Sequence, residues 1–311
     1  MYSKEHIDFL EKIDVLQLLE KIRKFRSLNI ALMTLSAIRE AIYDVLTHEG
    51  QFIYLTNMSI YKKGTLFYRA RTLESPLIPN ENLIYEAHFW NAPSEYIKAY
   101  GRLNKPNESL LYTTPMIPEI TLMETKIPDN SYYALMVYEA IDDIKVNLIG
   151  QNYAYEALGI YNEKVKLINN IYNDFLKDEF SRDVGIGTEY LYMVSELIAK
   201  DFFDLPPRDV QDAWAYPSLK DKEKYNVCFR PDIAKQLLKL KGTLICEKLP
   251  QSYKINVKCI QSGFDKLGKA KFYKLGSKEQ LKVFPEITTT SKWMLYSYLK
   301  NSYRNMAKSG F

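Results

Sequence analysis

The chain has 311 residues, of which 47% are hydrophobic, so it can bury a core in one large domain or two small ones. Its 42 Lys and Arg against 38 Asp and Glu leave too little net charge to indicate a polyanionic partner, and nucleic acid is not an expected one. The three cysteines form no CxxC pair, and no apolar run reaches membrane-spanning length. Residues 1–10 lack the charged and apolar pattern of an export signal, so we expect no export. We therefore expect a cytoplasmic globular protein with no membrane association.

The positive charge is concentrated near the end of the chain. Residues 254–311 carry 12 Lys or Arg and 3 Asp or Glu. Such a segment is most often a solvated surface, and that is the reading we favour. The alternative is a surface that attracts nucleic acid or a phosphate-bearing ligand.

Two amphipathic helices are predicted over 4–24 and 30–46, because apolar residues recur at steps of three or four. Their apolar faces pack on the core or on a second copy of the chain. Strands are then predicted over 52–55 and 65–73, and in the second strand the alternation places Arg69 and Arg71 on one face. Two neighbouring arginines repel each other unless an anion or carboxylates, such as Glu74, lie nearby.

The remainder of the chain predicts an α+β fold with a mainly antiparallel sheet. Residues 74–92 read as a long irregular excursion, and a short helix follows from Pro93. Further helices are expected at 118–125, 155–180 and 188–203, the last of them capped by Thr188 and ended by the prolines at 206 and 207. Further strands are expected at 109–114, 132–140, 213–216, 226–229, 255–261 and 270–275, the last two as a hairpin.

Several site patterns are weak or missing. The three histidines, His6, His48 and His88, are far apart and belong to no metal motif, so no metal is expected. A catalytic Cys-His pair has no local pattern in its favour. Gly185 and Gly187 precede a helix, but the third glycine and the lysine of a phosphate loop are missing, so this segment reads as a loop and helix cap.

One stretch combines residue types that suit a bound dinucleotide. Residues 101–114 read GRLNKPNESLLYTT, and Glu124 follows at the end of a predicted short helix. Arg102 can hold phosphate, Tyr112 can stack on a ring, and Glu124 can stabilise a forming cation. Each residue taken alone also has an ordinary explanation without a ligand. Arg102 can form a surface ion pair, Tyr112 can be a half-buried strand tyrosine, and Glu124 can be a solvated helix glutamate.

The order of these blocks resembles the RES-domain family. The first block resembles the family's GRWNPPG, followed by an LY strand and a glutamate near the end of a short helix. Downstream, Tyr216-Pro217-Ser218 and the strand ending Phe229-Arg230-Pro231 resemble its second block, and 67–71 (FYRAR) resembles its first strand. The resemblance covers about residues 62–245. It divides the chain into an N-terminal helical extension (1–60), a core (61–245) and a basic C-terminal extension (246–311).

The chain departs from the family pattern at several positions. Leu103 replaces the tryptophan after the arginine, 105–108 lack the second glycine, and Ala213-Trp214 stand where a glycine is usual before YPS. The arginine, tyrosine, glutamate and serine are kept. The resemblance therefore implies the family's chemistry in a pocket of different shape.

The resemblance implies an ADP-ribosyltransferase-like split β-sandwich that binds NAD+ as a substrate and needs no other cofactor. The family's arginine, glutamate and serine fall on Arg102, Glu124 and Ser218. Glu124 would stabilise the oxocarbenium-like ribose and Arg102 would hold the pyrophosphate, with Arg69 as a second contact. Tyr112 would stack on nicotinamide. Ser218 would hydrogen-bond the ribose or orient the glutamate.

The resemblance leaves the acceptor of the ADP-ribosyl group open. With water as acceptor the protein is an NAD+ glycohydrolase that depletes NAD+, as in the toxin half of bacterial toxin-antitoxin pairs. With a protein side chain as acceptor it is a mono-ADP-ribosyltransferase. The alternative from another class is a non-catalytic binding module. The toxin reading implies a protein antitoxin as partner, and the N-terminal helices can instead serve a homo-oligomer.

Overall fold

The structure is a computed structural model that describes residues 3–53, 57–74, 83–152, 155–204, 210–252 and 254–287. The chain forms two compact units. The first comprises Met1–Ile60, Pro93–Leu110 and Lys145–Lys224, and the second comprises Tyr61–Ala92, Leu111–Ile144 and Tyr225–Phe311. The three-part division expected from the sequence stays a prediction.

Groups of helices and groups of strands follow one another along the chain. The helices are α1 (Lys4–Lys12), α2 (Val15–Arg26), α3 (Leu35–Leu46), α4 (Pro118–Thr125), α5 (Glu163–Phe180), α6 (Tyr192–Asp201), α7 (Pro231–Leu237) and α8 (Lys278–Val283). The strands are β1 (Thr47–His48), β2 (Gln51–Phe52), β3 (Met58–Tyr61), β4 (Leu66–Leu73), β5 (Leu111–Pro115), β6 (Tyr132–Ala140), β7 (Ile144–Leu148), β8 (Ala213–Pro217), β9 (Tyr225–Phe229), β10 (Leu238–Lys248), β11 (Ile255–Phe264) and β12 (Ala270–Lys274). The predicted α+β class with flanking helices is confirmed.

The helix predicted over 4–24 is broken into α1 and α2. The break falls at Asp14, whose carboxylate accepts hydrogen bonds from the backbone N–H groups of Leu16 at 2.7 Å and Gln17 at 3.2 Å. A side chain that satisfies the free amides of a helix start favours a new helix there. The break also changes which side chains are buried. Leu16 is 77% exposed, whereas the buried residues of α2 are Leu18, Ile22 and Phe25.

The N-terminal helices pack within the first unit, on α5 and α6. Phe25 of α2 meets Phe175 of α5 edge to face at 5.4 Å between ring centroids. The hydroxyl of Tyr172 donates to the backbone carbonyl of Val45 at 2.8 Å. The predicted packing of these helices on the core is therefore seen in this unit. The unit also contains the parallel pair β7 and β8.

Three predicted details of the first unit and its neighbouring segments need correction. The helix predicted at 155–180 begins only at Glu163, after the cap Asn162. The predicted cap Thr188 makes no capping bond; its hydroxyl instead accepts from the N–H of Gly185 at 3.0 Å. The short helix predicted from Pro93 is a single 3-10 turn. Predictions on 54–55, on 75–82 of the excursion, on 205–207 and on 288–311 of the basic segment lie outside the described residues.

The second unit contains a sheet in the strand order β12-β11-β10-β6-β4-β5-β9. Its recorded pairs are antiparallel, which confirms the predicted sheet type, and β11 and β12 form the predicted hairpin. The central strand β10, which pairs with β6 and β11, is not among the predicted elements.

The two faces of this sheet differ. One face, here called the α4 face, carries Tyr68, Leu135 and Val137, which form an apolar cluster with Leu122 of α4 and Phe284. The alternation of side chains places the other set of β4 and β6 residues on the opposite face, here called the Arg69 face. That set is Phe67, Arg69, Arg71, Ala134, Met136 and Tyr138.

Candidate functional site

The predicted glutamate lies near the end of α4. Pro118 occupies the first turn of this helix, where a missing N–H costs nothing, and Lys126 ends it in the left-handed conformation with φ 51°. The helix packs on β4 and β5. Glu124 is therefore held on the α4 face, where its side chain is half-buried.

A short hydrogen-bond chain orients the Glu124 carboxylate. The amide Nδ2 of Asn226 on β9 donates to Oε1 of Glu124 at 3.2 Å. The hydroxyl of Thr114 on β5 donates in turn to Oδ1 of Asn226 at 2.9 Å. Both Asn226 and Thr114 are buried, so the amide has few other orientations open to it. This chain of three side chains sets the direction of the carboxylate.

Tyr112 shares the α4 face with this chain. It lies two residues before Thr114 on β5 and pairs with Cys228, which lies two residues after Asn226 on β9. Because the side-chain period of a strand is two residues, all four side chains point to one side of the sheet. Tyr112 is half-buried. The second unit therefore brings together two of the predicted site residues, Tyr112 and Glu124, on one surface.

Arg102 is held inside the first unit. Arg102 is only 7% exposed. Its guanidinium lies 5.3 Å from the ring centre of Tyr192 and 5.7 Å from that of Tyr216. Nη1 donates to the backbone carbonyl of Phe180. Nη2 donates to the carbonyl of Arg182 and to the hydroxyl of Tyr192, at 3.4 and 3.3 Å.

These contacts give Arg102 a structural role in the unit. Phe180 is the last residue of α5, so the guanidinium satisfies a carbonyl that the end of the helix leaves without an intrahelical partner. Both terminal nitrogens are engaged. A bidentate grip on a pyrophosphate would therefore require Arg102 to exchange these bonds for the ligand.

Ser218 organises the turn that follows β8. It is fully buried, and its hydroxyl oxygen accepts from the backbone N–H groups of Lys220 at 3.0 Å and Asp221 at 3.4 Å. Its own N–H donates to the carbonyl of Lys224 at 2.8 Å. In the first unit it lies two residues after Tyr216, whose ring faces Arg102. The arginine and serine half of the predicted motif thus belongs to one unit.

Arg69 lies on the face of the sheet opposite Tyr112 and Glu124. Arg69 pairs with Met136, whereas Tyr68, its neighbour in the chain, pairs with Thr114 and Val137 on the α4 face. The predicted placement of Arg69 and Arg71 on one face follows from this register. Arg69 does not join the cluster that contains Glu124.

Two residues of this cluster, Asn226 and Thr114, were not among the predicted site residues. Asn226 lies in the strand ending at Phe229 that carried the resemblance, so its place after the serine block was the available signal. Nothing local marks Thr114, because one buried threonine on a strand is ordinary. Its role depends on β9 lying next to β5.

The surroundings of Cys246 and Cys259 do not favour a nucleophilic thiol. Burial raises the pKa of both the Cys246 and Cys259 thiols, so they stay protonated and weakly nucleophilic near neutral pH. Within 3–287, apart from the gaps given above, no group of three or more His, Cys, Asp or Glu could hold a metal ion. No helix in the same residues is long and apolar enough to cross a membrane.

No protein-family model matches this chain, and no curated protein matches it.

Proposed function

We propose that the protein cleaves the bond between nicotinamide and ribose in NAD+ and transfers the ADP-ribosyl group to water. The observation that carries the proposal is the oriented carboxylate of Glu124, which is half-buried on the same sheet face as Tyr112. The motif resemblance to RES-domain proteins supplies the substrate class. Water as acceptor makes the protein an NAD+ glycohydrolase.

In the proposed reaction the C–N bond breaks and its electron pair leaves with nicotinamide. The ribose then carries positive charge shared between its anomeric carbon and ring oxygen. A carboxylate already pointing at the ribose stabilises that charge without reorganisation, which is the role of Glu124. A water oxygen completes the reaction by bonding to the anomeric carbon and losing a proton, so that ADP-ribose and nicotinamide are the products.

The chain from Thr114 through Asn226 supports this role because it restrains the carboxylate. An exposed glutamate on a helix end samples several rotamers, and each wrong rotamer lowers the stabilisation of the transition state. The amide bond to Oε1 favours one of them. Tyr112, on the same face, offers an aromatic ring for the cationic nicotinamide before cleavage.

One observation favours the non-catalytic alternative. Both terminal nitrogens of Arg102, the predicted pyrophosphate ligand, already donate hydrogen bonds to Phe180, Arg182 and Tyr192. In that reading the arginine and serine motif stabilises the first unit, and the chain binds a nucleotide or a protein without cleaving it. The proposed roles of Arg102 and Ser218 in binding NAD+ therefore depend on the resemblance alone.

The test is to incubate the purified full-length chain with NAD+ and to follow nicotinamide and ADP-ribose by chromatography. We expect both products from the wild type in equal amounts. Glu124→Gln is expected to lose at least about 100-fold in kcat while keeping NAD+ affinity within a few-fold, since the amide keeps size but loses charge. Glu119→Gln, the same change in the first turn of α4, is the matched control and should keep activity.

Each outcome decides between the alternatives. ADP-ribose attached to a polypeptide, without free ADP-ribose, would support a mono-ADP-ribosyltransferase. Binding of NAD+ by the wild type without any cleavage would support the non-catalytic module and overturn both enzyme proposals. Growth arrest on expression, relieved by Glu124→Gln but not by Glu119→Gln, would support a toxin whose cell of origin needs a protein antitoxin.

A further inference from the structure

The hairpin strand β12 is the last strand at one end of the sheet in the second unit. Its inner side pairs with β11, for example Tyr273 with Ile260. On its outer side, the N–H of Ala270 donates to the backbone carbonyl of Ile84 at 2.7 Å. Among the described residues, no strand pairs with the outer side of 271–274. This outer side of 271–274 is here called the β12 edge.

The β12 edge presents backbone hydrogen-bonding groups outward. In an antiparallel sheet the N–H and C=O of one residue point to the same side of the strand, and this side alternates along the chain. Because Ala270 points its N–H outward to Ile84, Phe272 also points its N–H and C=O outward. An extended peptide adds to a sheet through such groups. The open stretch is short, because the N–H of Ser277 donates to the carbonyl of Lys274 at 3.2 Å and closes it with a turn.

Exposed lysines surround the β12 edge on both faces of the sheet. Tyr273 packs on the apolar cluster of the α4 face, so the alternation places Lys271 on that face and Lys274 on the Arg69 face. The hairpin turn and α8, which packs on β11 and β12, add further exposed lysines. The full set is Lys266, Lys269, Lys271, Lys274, Lys278 and Lys282. In the part of the chain that the structure describes, none of these six forms an ion pair.

Few acidic side chains offset this charge. Residues 265–282 contain six lysines against two acidic residues, Asp265 and Glu279. The carboxylate of Asp265 is occupied by the hairpin turn, where Oδ1 accepts from the N–H groups of Leu267 and Lys269, each at 2.8 Å. The bond from Lys269 lowers the pKa of Asp265, and the charges of Lys269 and Lys271 lower it further. The β12 edge therefore lies in a positive field that its own segment leaves largely uncompensated.

The charge also limits what can occupy this edge. Lysines on an edge strand protect it from pairing with another copy of the same chain. Two such edges brought together would oppose Lys271 and Lys274 of one copy to the lysines of the other, and like charges across a strand pair are destabilising. An acidic strand reverses the sign of this interaction.

We propose that the β12 edge binds a short acidic segment of a partner protein, which adds to the sheet as a further strand. The backbone of the segment pairs with Phe272, and its carboxylates pair with Lys271 on one face and Lys274 on the other. The remaining lysines of the set attract the segment during its approach. The proposal goes beyond NAD+ cleavage and does not depend on it, because it uses neither Glu124 nor Asn226.

The test is fluorescence anisotropy of a labelled, blocked peptide of glutamate and valine, with glutamates on both faces of its extended chain, titrated with the full-length protein. We expect saturable binding that weakens as salt is added. The double variant Lys271→Gln with Lys274→Gln should bind about tenfold more weakly, because it loses two ion pairs. Lys12→Gln with Lys24→Gln removes two exposed lysines of the first unit and is the matched control, which should bind like the wild type.

A second peptide separates strand pairing from simple charge attraction. Methylation of alternate backbone nitrogens keeps its charge but removes the N–H groups that face β12, and it should weaken binding by at least about tenfold. The proposal is overturned if the acidic peptide does not bind, or if the methylated peptide binds equally well. Tighter binding of a single-stranded DNA oligonucleotide of equal charge would also overturn it, in favour of nucleic acid. Glu124→Gln should bind the peptide normally, so a failure of NAD+ cleavage leaves this test unaffected.

Discussion

Asn226 donates a hydrogen bond to Glu124 at 3.2 Å across 102 residues of chain. The bond exists because β9 lies beside β5 and α4 packs on β5, so that a strand amide and a helix carboxylate meet on one face of the sheet. Thr114 fixes the amide from the other side. The proposed chemistry rests on this relationship, and so does the first prediction.

Thr114→Val should impair catalysis more than Thr113→Val. Thr114 holds Asn226, whereas the Thr113 hydroxyl donates to the backbone carbonyl of Val227 at 2.8 Å, on the opposite side of β5. Each valine loses one buried hydrogen bond and should cost about 1 kcal/mol of unfolding free energy. Only Thr114→Val should lower kcat, by roughly tenfold with KM unchanged, because it loosens Glu124.

Steady-state kinetics of NAD+ cleavage and urea unfolding of both variants provide the measurement. Asn226→Ala should reproduce the kcat loss of Thr114→Val. Equal loss of kcat in the two threonine variants would show that Thr114 contributes to stability only.

Arg102→Met should destabilise the fold by about 3 kcal/mol, because it leaves the buried carbonyl of Phe180 and the partly buried carbonyl of Arg182 without their charged donor. Arg102→Lys should also be destabilised, since an ammonium group cannot reproduce the planar fork. The measurement is urea unfolding followed by circular dichroism. Arg26→Met, which breaks an exposed ion pair with Asp178, should change stability very little.

The outcome affects the interpretation of activity data. If Arg102→Met unfolds readily, its loss of NAD+ cleavage reports a loss of folded protein. A fully stable Arg102→Met that binds NAD+ weakly would instead assign Arg102 to the substrate and contradict the structural role.

Glu179→Gln should stabilise the protein at neutral pH. Burial raises the pKa of the Glu179 carboxyl, although its ion pair with Arg182 at 2.6 Å opposes the shift. The folded state therefore binds this proton more tightly than the unfolded state does. The free energy of unfolding of the wild type should rise as the pH falls from neutral towards the pKa of Glu179 in the unfolded chain, which is about 4. Glutamine is uncharged at every pH. Glu179→Gln should therefore be more stable than the wild type at pH 7, and this difference should disappear near pH 4.

Urea unfolding of wild type and Glu179→Gln at several pH values from 4 to 8 measures this difference. Glu163→Gln, at a well-exposed position at the start of α5, is the control and should show no such trend. A difference between Glu179→Gln and wild type that stays constant with pH would contradict the prediction.

Gly242→Ala should destabilise the second unit by about 1–3 kcal/mol. A Cβ at this position would lie 2.8 Å from the carbonyl oxygen of Gln261 and 2.9 Å from the ring of Phe284. Gly185→Ala, where the nearest atom is the hydroxyl of Thr188 at 3.9 Å, is the matched control and should be nearly neutral. Thermal unfolding of the two variants separates them, and equal melting temperatures would show that the sheet yields at Gly242.

Local patterns were sufficient to predict most elements of the fold. The bounds of α4 and β6 agree with the predicted 118–125 and 132–140, because proline placement and alternation act within a few residues. The strand β10 was missed, although Leu238 and Leu240 alternate with lysines. Its identity as a strand depends on pairing with β6 and β11.

Local sequence patterns predicted less of the candidate site than of the fold. The sequence by itself supplied the residue types and their order, and the alternation placed Arg69 and Arg71 on one face. Only the tertiary structure placed Asn226 beside Glu124, turned Arg69 to the other side of the sheet and gave Arg102 its carbonyl partners. The physical reason is that spacing fixes the direction of a side chain within its own element, whereas its partners are set by strand order and helix packing between distant segments.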